Sequence, residues 1–150
     1  MNAELINPYI QGAQRVLAQI CGERPNLGKV FLKKPPYQAQ NIAISVSTIG
    51  AIEGTAVYTM DNATGLYLAA KMMAGMPVTT LDEIAKSALC ELTNMISGNV
   101  STVFAEKGVL TDITTPSFFG ESYPLIGGSA VCIPLALGSG LVFEVDVCTL

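Results

Sequence analysis

The stretch from Thr80 to Lys107 carries the longest helical pattern in the chain, and any fold must bury one side of it. Thr80 and Glu83 form a T-x-x-E capping box, while Lys107 and Gly108 supply a cation and a glycine for the far end. Placed at about 100° per residue, Leu81, Ile84, Ala85, Ala88, Leu92, Met95, Ile96, Asn99 and Val103 share one broad apolar face. Leu89 and Val100 fall at its edge. Ser87, Glu91, Asn94 and Gly98 recur at steps of four, three and four, so they gather in one band turned away from that face. A carboxylate and an amide therefore project together, about one turn apart. Gly98 costs the helix about 1 kcal/mol against alanine and leaves bare backbone where a partner can approach. An acid and an amide on a wet helix face are commonplace, and the pair alone does not assign a function. Asparagine is nevertheless a poor mid-helix residue, because its side chain competes for backbone hydrogen bonds.

The flanking sequence sets the fold class. Asn7-Pro8 reads as an N-cap followed by proline at the first helical position, opening a helix that runs to Cys21 and stops at Gly22 and Pro25. "KVFLKKPPYQ" is a short strand, and Lys33-Lys34 its solvated end. "NIAISVSTIG" and "TAVYTM" form an antiparallel hairpin, and Asp61-Asn62 cap a second helix, Ala63 to Ala74, closed by Gly75 and Pro77. Met72, Met73 and Met76 are expected to pack into the core. Beyond the long helix come "VLTDITTP", "SAVCIPLAL" and "LVFEVDVC". In the last of these, Glu144 and Asp146 alternate with Phe143, Val145 and Val147, which predicts one wet and one buried face. Pro134 suits an edge strand better than a central one. Helices on one face of an antiparallel-rich sheet make a two-layer α/β (α+β) sandwich, and no linker divides residues 1–150 into more than one domain.

Composition removes several classes of function. A net charge of −4, with Lys33-Lys34 the only close basic pair, argues against nucleic acid. The most apolar stretch, "AVCIPLALGSGLVFEV", is too short to span a membrane and is broken by Pro134 and Gly-Ser-Gly. The start shows no signal-peptide pattern. Cys21, Cys90, Cys132 and Cys148 lack ligand spacing and read as reduced, buried thiols of a cytoplasmic protein, so no metal site is expected. With no histidine, neither a Ser-His-Asp nor a Cys-His arrangement can exist. One carboxylate and one amide cannot hydrolyse a stable ester. They can hold a water in line where the other parts of the chemistry come from elsewhere.

"SALCELTNMISGN" resembles the signature of the CheC/CheX/FliY family of response-regulator phosphatases, in which Asp or Ser, Glu and Asn stand at the spacing of Ser87, Glu91 and Asn94. Pro116 is the candidate for the family's distal proline. "INPYIQGAQRVLAQICG", "GKVFLKKPP" and the closing hydrophobic hairpin extend the likeness over most of the chain, nearest to the single-site CheX branch. The resemblance implies dephosphorylation of a phosphorylated, CheY-like response regulator. Asn94 would orient the attacking water, Glu91 would pair with the regulator's lysine, and Ser87 and Gly98 would contact the partner. It implies no cofactor of the chain's own, Mg²⁺ supplied by the regulator, and a homodimer joined through sheet edges. The same fold can also serve as a non-catalytic regulator-binding or flagellar-switch module; the intact Glu91/Asn94 pair favours the enzyme. A second E-x-x-N, Glu4 and Asn7, is read as helix capping, since Pro8 would keep the two side chains off a shared mid-helix face.

Overall fold

A computed structural model describes residues 3–22, 24–38, 40–124 and 127–149. In chain order the elements are α1 (Ala3–Cys21), β1 (Asn26–Leu27), β2 (Phe31–Lys33), β3 (Ile42–Gly50), β4 (Gly54–Met60), α2 (Asn62–Met72), α3 (Glu83–Glu106), β5 (Thr111–Ile113), β6 (Ser117–Phe118), β7 (Ala130–Ala136) and β8 (Val142–Thr149). The strands form one antiparallel sheet in the order β1-β7-β8-β4-β3-β5, with β2 also on β7 and β6 also on β3. This order is a palindrome of the chain's two halves. The short strands of the first half pair with β7 of the second, and those of the second pair with β3 of the first. The halves meet where β4 lies against β8, with Tyr58 opposite Val145. The helices cover one sheet face, as the sandwich expectation holds.

The core forms where α1, α2 and α3 press their apolar sides onto the inward residues of the long strands, among them Ile44, Val46, Tyr58, Ile133, Leu135, Phe143 and Val145. Two hydroxyls sunk in that layer are satisfied across it. Tyr58 Oη lies 2.7 Å from Ser97 Oγ of α3, and Tyr9 Oη lies 3.1 Å from Thr48 Oγ1 of β3. Burial pushes the Tyr58 phenol well above its ordinary range, so it stays un-ionised.

Several local expectations are corrected. Helix α1 begins at Ala3, so Asn7 is not its cap and Pro8 lies within the helix. Proline removes one backbone bond there, but Ile6 and Pro8 are buried and hold the first turn against the core. Helix α3 is capped by Asp82, not Thr80: Ala85 N–H donates to Asp82 Oδ1 at 2.8 Å, leaving Thr80 and Leu81 outside. Helix α2 keeps the expected Asp61 cap but ends at Met72, before Ala74 and Gly75 turn left-handed. Met72 and Met73 are half-buried, whereas Met76 is exposed. Strand β7 is interior, not an edge. Pro134 falls in the gap between the β2 pairing at Cys132 and the β1 pairing at Leu135, so its missing N–H breaks no ladder. Of the cysteines, Cys132 and Cys148 are buried, while Cys21 and Cys90 are half-buried.

The outer sheet face is not wet. Asp146 is fully buried, and Lys33 is no solvated strand end: its ammonium reaches Glu144 Oε2 at 2.6 Å and Asp146 Oδ2 at 2.8 Å. Tyr123 donates to Asp146 Oδ2 at 2.6 Å and stacks on Tyr37, whose hydroxyl donates to the Gly128 carbonyl. Burial alone would lower the Lys33 pKa; the hydrogen bonds and charges of Asp146 and Glu144 outweigh it and raise the value. Glu144 is pushed up by burial and by Asp146 beside it.

Gly12 lets the backbone of α1 lie close against α3. A Cβ there would stand 2.7 Å from Val100 Cγ2 and 3.0 Å from Val100 N. Gly12→Ala is therefore expected to lower unfolding free energy by about 2 kcal/mol, the scale of core overpacking, measured by urea denaturation.

Candidate active site

Helix α3 is buried on two flanks, against α1 and against the sheet, and this sets its rotation. The sealed positions are Ala85, Leu89, Leu92, Thr93, Ile96, Ser97, Val100, Val103 and Phe104. Leu89 and Val100, expected at the margin, sit in the middle of this sector, while Ile84, expected within the apolar face, is 63 % exposed. The sequence pattern had no way to weigh the second flank. Thr93 and Ser97, polar by type, are also buried with bonds made, Thr93 Oγ1 to the Cys90 carbonyl at 2.9 Å and Ser97 to Tyr58. The outcome sharpens the separation: the Ser87–Gly98 band lies nearly opposite the sealed sector.

Ser87 and Glu91 are exposed, and Asn94 and Gly98 are half-buried. Ser87, Cys90, Glu91 and Asn94 form one wall of an open cleft of about 410 Å³, and Ile113, Thr114, Thr115 and Pro116 form the other. Pro116 thus faces the Glu-Asn pair across the cleft, although it is far from the pair in sequence. Gly98 lies outside the cleft lining, one turn beyond Asn94, where an added Cβ would meet nothing within 4 Å.

The second wall is held to α3 and to β3 by specific bonds. Ser101 Oγ donates to the Thr111 carbonyl at 2.9 Å, and Thr114 N–H donates to the Ser47 carbonyl at 2.9 Å. Ser47 N–H returns a bond to Thr114 Oγ1 at 3.0 Å. Near the helix start, the Lys86 ammonium lies 5.5 Å from the Phe118 ring centre and 3.5 Å from Glu83. These contacts fix the cleft width. Cys90 lies beside Glu91 in the cleft wall, and burial raises its thiol pKa, which keeps it protonated and poorly nucleophilic. Nothing in the cleft offers an acid-base pair; what it presents is a carboxylate and an amide on a rigid helix, open to a partner.

The other E-x-x-N behaves differently from its reading. Glu4 and Asn7 both lie in α1, three residues apart, so they do share a helix face and neither caps it. Glu4 lines a separate cleft of about 430 Å³ with Leu5, Ile52, Phe104, Lys107 and Val109, a lining that does not include Asn7.

The family model described as chemotaxis phosphatase CheX matches residues 28–134, more than half of the sequence. The chain belongs to the CheX family. The CheY-P phosphatase CheX of Thermotoga maritima is 30% identical to it over 117 residues, covering 78% of this chain and 76% of that protein. Among solved structures, the CheX-CheY-BeF3-Mg²⁺ complex from Borrelia burgdorferi aligns with a TM-score of 0.81 and 27% identity, covering 96% of each chain. A CheC-like superfamily protein from Shewanella sp. PV-4 aligns with a TM-score of 0.86 at 23% identity, covering 100% of this chain and 99% of that one, a likeness of fold. Among the described residues, no helix is long and apolar enough to cross a membrane.

Gly98 meets open space, so alanine there gains helix propensity with no clash. Gly98→Ala is expected to raise unfolding free energy by about 1 kcal/mol, read as a higher thermal midpoint.

Proposed function

We propose that this chain dephosphorylates the aspartyl phosphate of a CheY-like response regulator, with residues 1–150 acting as one catalytic unit. The observation that carries the reading is the joint projection of Glu91 and Asn94 into an open cleft walled by Pro116. An aspartyl phosphate is a reactive acyl phosphate. Its hydrolysis needs a water held in line with phosphorus; attack breaks the bond to the aspartyl oxygen and releases inorganic phosphate and a carboxylate. Asn94 orients that water, its amide accepting from and donating to it, a positioning role of the kind a glutamine plays in small GTPases. Glu91 pairs with the regulator's lysine and sets the register of the helix. Inside a closed interface such a pair strengthens, and losing one partner strands the other. Ser87 and Gly98 let the partner backbone approach.

The chain brings no metal to this step. Mg²⁺ is the regulator's, a reading supported by the Borrelia burgdorferi complex, which contains CheY, BeF3 and Mg²⁺. The same reading puts the protein in the cytoplasm beside its regulator. The homodimer pairs through the β1–β2 edge, where Leu27, Phe31 and Leu32 are each exposed by 44% or more.

Phosphate release from a regulator phosphorylated by acetyl phosphate tests the assignment. Asn94→Ala is expected to slow it about a hundredfold or more without weakening regulator binding, while Glu91→Ala weakens both. A full rate from Asn94→Ala refutes the assignment. Leu32→Asp is expected to give a monomer in sedimentation analysis; an unchanged dimer would rule out this edge.

A further inference from the structure

On the outer sheet face, remote in role from the α3 cleft, a thiol and two carboxylates converge. Cys132 of β7 pairs directly with Asp146 of β8, and Pro134 with Glu144. Cys132, Glu144 and Asp146 therefore point to the same side of the sheet. The Cys132 sulfur and one oxygen of each carboxylate lie within 4.8 Å of one another. Cys132 and Asp146 are fully buried, and the Glu144 side chain is 14% exposed.

The polar partners already present engage only one oxygen of Asp146. Lys33 and Tyr123 both donate to Oδ2, whereas Oδ1 is buried with no partner. A buried acceptor left unpaired is costly, and native interiors rarely tolerate one. The charge is unbalanced in the same direction. Two carboxylates face one ammonium, so the cluster holds one excess negative charge under a lid of tyrosines.

We propose that Cys132, Glu144 and Asp146 form a binding site for a thiophilic divalent cation of the zinc class. Cys132 binds as thiolate, Asp146 through its unpartnered Oδ1, and Glu144 through the oxygen that Lys33 leaves free. Every bond made by Lys33 and Tyr123 is then retained. A dipositive ion and one ammonium balance a thiolate and two carboxylates, and the buried cluster becomes neutral. As the sulfur–metal bond forms, the thiol proton leaves to solvent and no oxidation state changes. Sulfur in the ligand set selects zinc-class ions over Mg²⁺ or Ca²⁺, and a water completes the four-coordinate shell. No spacing in the sequence signals this site, because its ligands come from two strands of a hairpin.

The test uses the full chain, stripped by a chelator and dialysed. Titration with zinc chloride by calorimetry is expected to give one equivalent bound per chain and a raised thermal midpoint. Cobalt chloride is expected to produce a thiolate-to-cobalt charge-transfer absorption. Cys132→Ser, a near-isosteric change, is expected to remove that absorption and weaken zinc binding at least about tenfold. Cys148→Ser, whose thiol donates to the Gly127 carbonyl on the same face, is expected to change neither. Absence of stoichiometric zinc binding in the native chain overturns the proposal, as does a cobalt absorption or zinc affinity that survives Cys132→Ser.

Discussion

The crossing of α1 over α3 is the contact on which the functional geometry depends. Because Gly12 has no side chain, the backbone of α1 settles against Val100 and Ile96 of α3. With that flank closed and the sheet beneath, α3 has one rotation that buries Leu89, Leu92, Ile96 and Val100 together. A turn of one residue would swing the helix by about 100°, bringing Leu89 or Val100 into water and pushing Glu91 toward an apolar interior. Each such exchange costs on the order of 2 kcal/mol for the exposed aliphatic alone, and more for the carboxylate. The exposed acid and amide are thus held outward by the burial of residues on the far side of the same helix.

The protein uses carboxylates in two opposite ways. Glu91 stands in water, free to meet a cation carried by another molecule. Glu144 and Asp146 are shut under Tyr37 and Tyr123 and share the ammonium of Lys33, which reaches them from β2 across β7. In a helix, the step of four and three kept Glu91 and Asn94 on the wet side. In a strand, alternation reports only which residues share a face, and it is silent on what covers that face.

That difference explains what could be read in the sequence and what could not. The β3–β4 and β7–β8 hairpins, the three helices and the exposed band on α3 follow from periodicity and turn residues, all local signals. The Asp61 cap was legible for the same reason, whereas Asp82 was masked by the equally good Thr80 and Glu83 nearby. The rotation of α3 required the position of α1, a contact distant in sequence, and Ile84 was misplaced in consequence. The interior place of β7 depends on β1 and β2 folding back to it, which Pro134 disguised. The wall of the cleft built by Thr114 to Pro116 carries no periodicity, and only the resemblance to known phosphatases pointed to Pro116.

The palindromic strand order has a consequence for assembly of the native state. Neither half of the chain can complete its own part of the sheet, since β3 must receive β5 and β6 while β7 must receive β1 and β2. A fragment ending before α3 would leave β3 bare on one side and strand β1 and β2 without a host. Folding is therefore an all-or-none event with long loop closures, and the natural fate of an isolated half is to seek the missing ladder from another molecule.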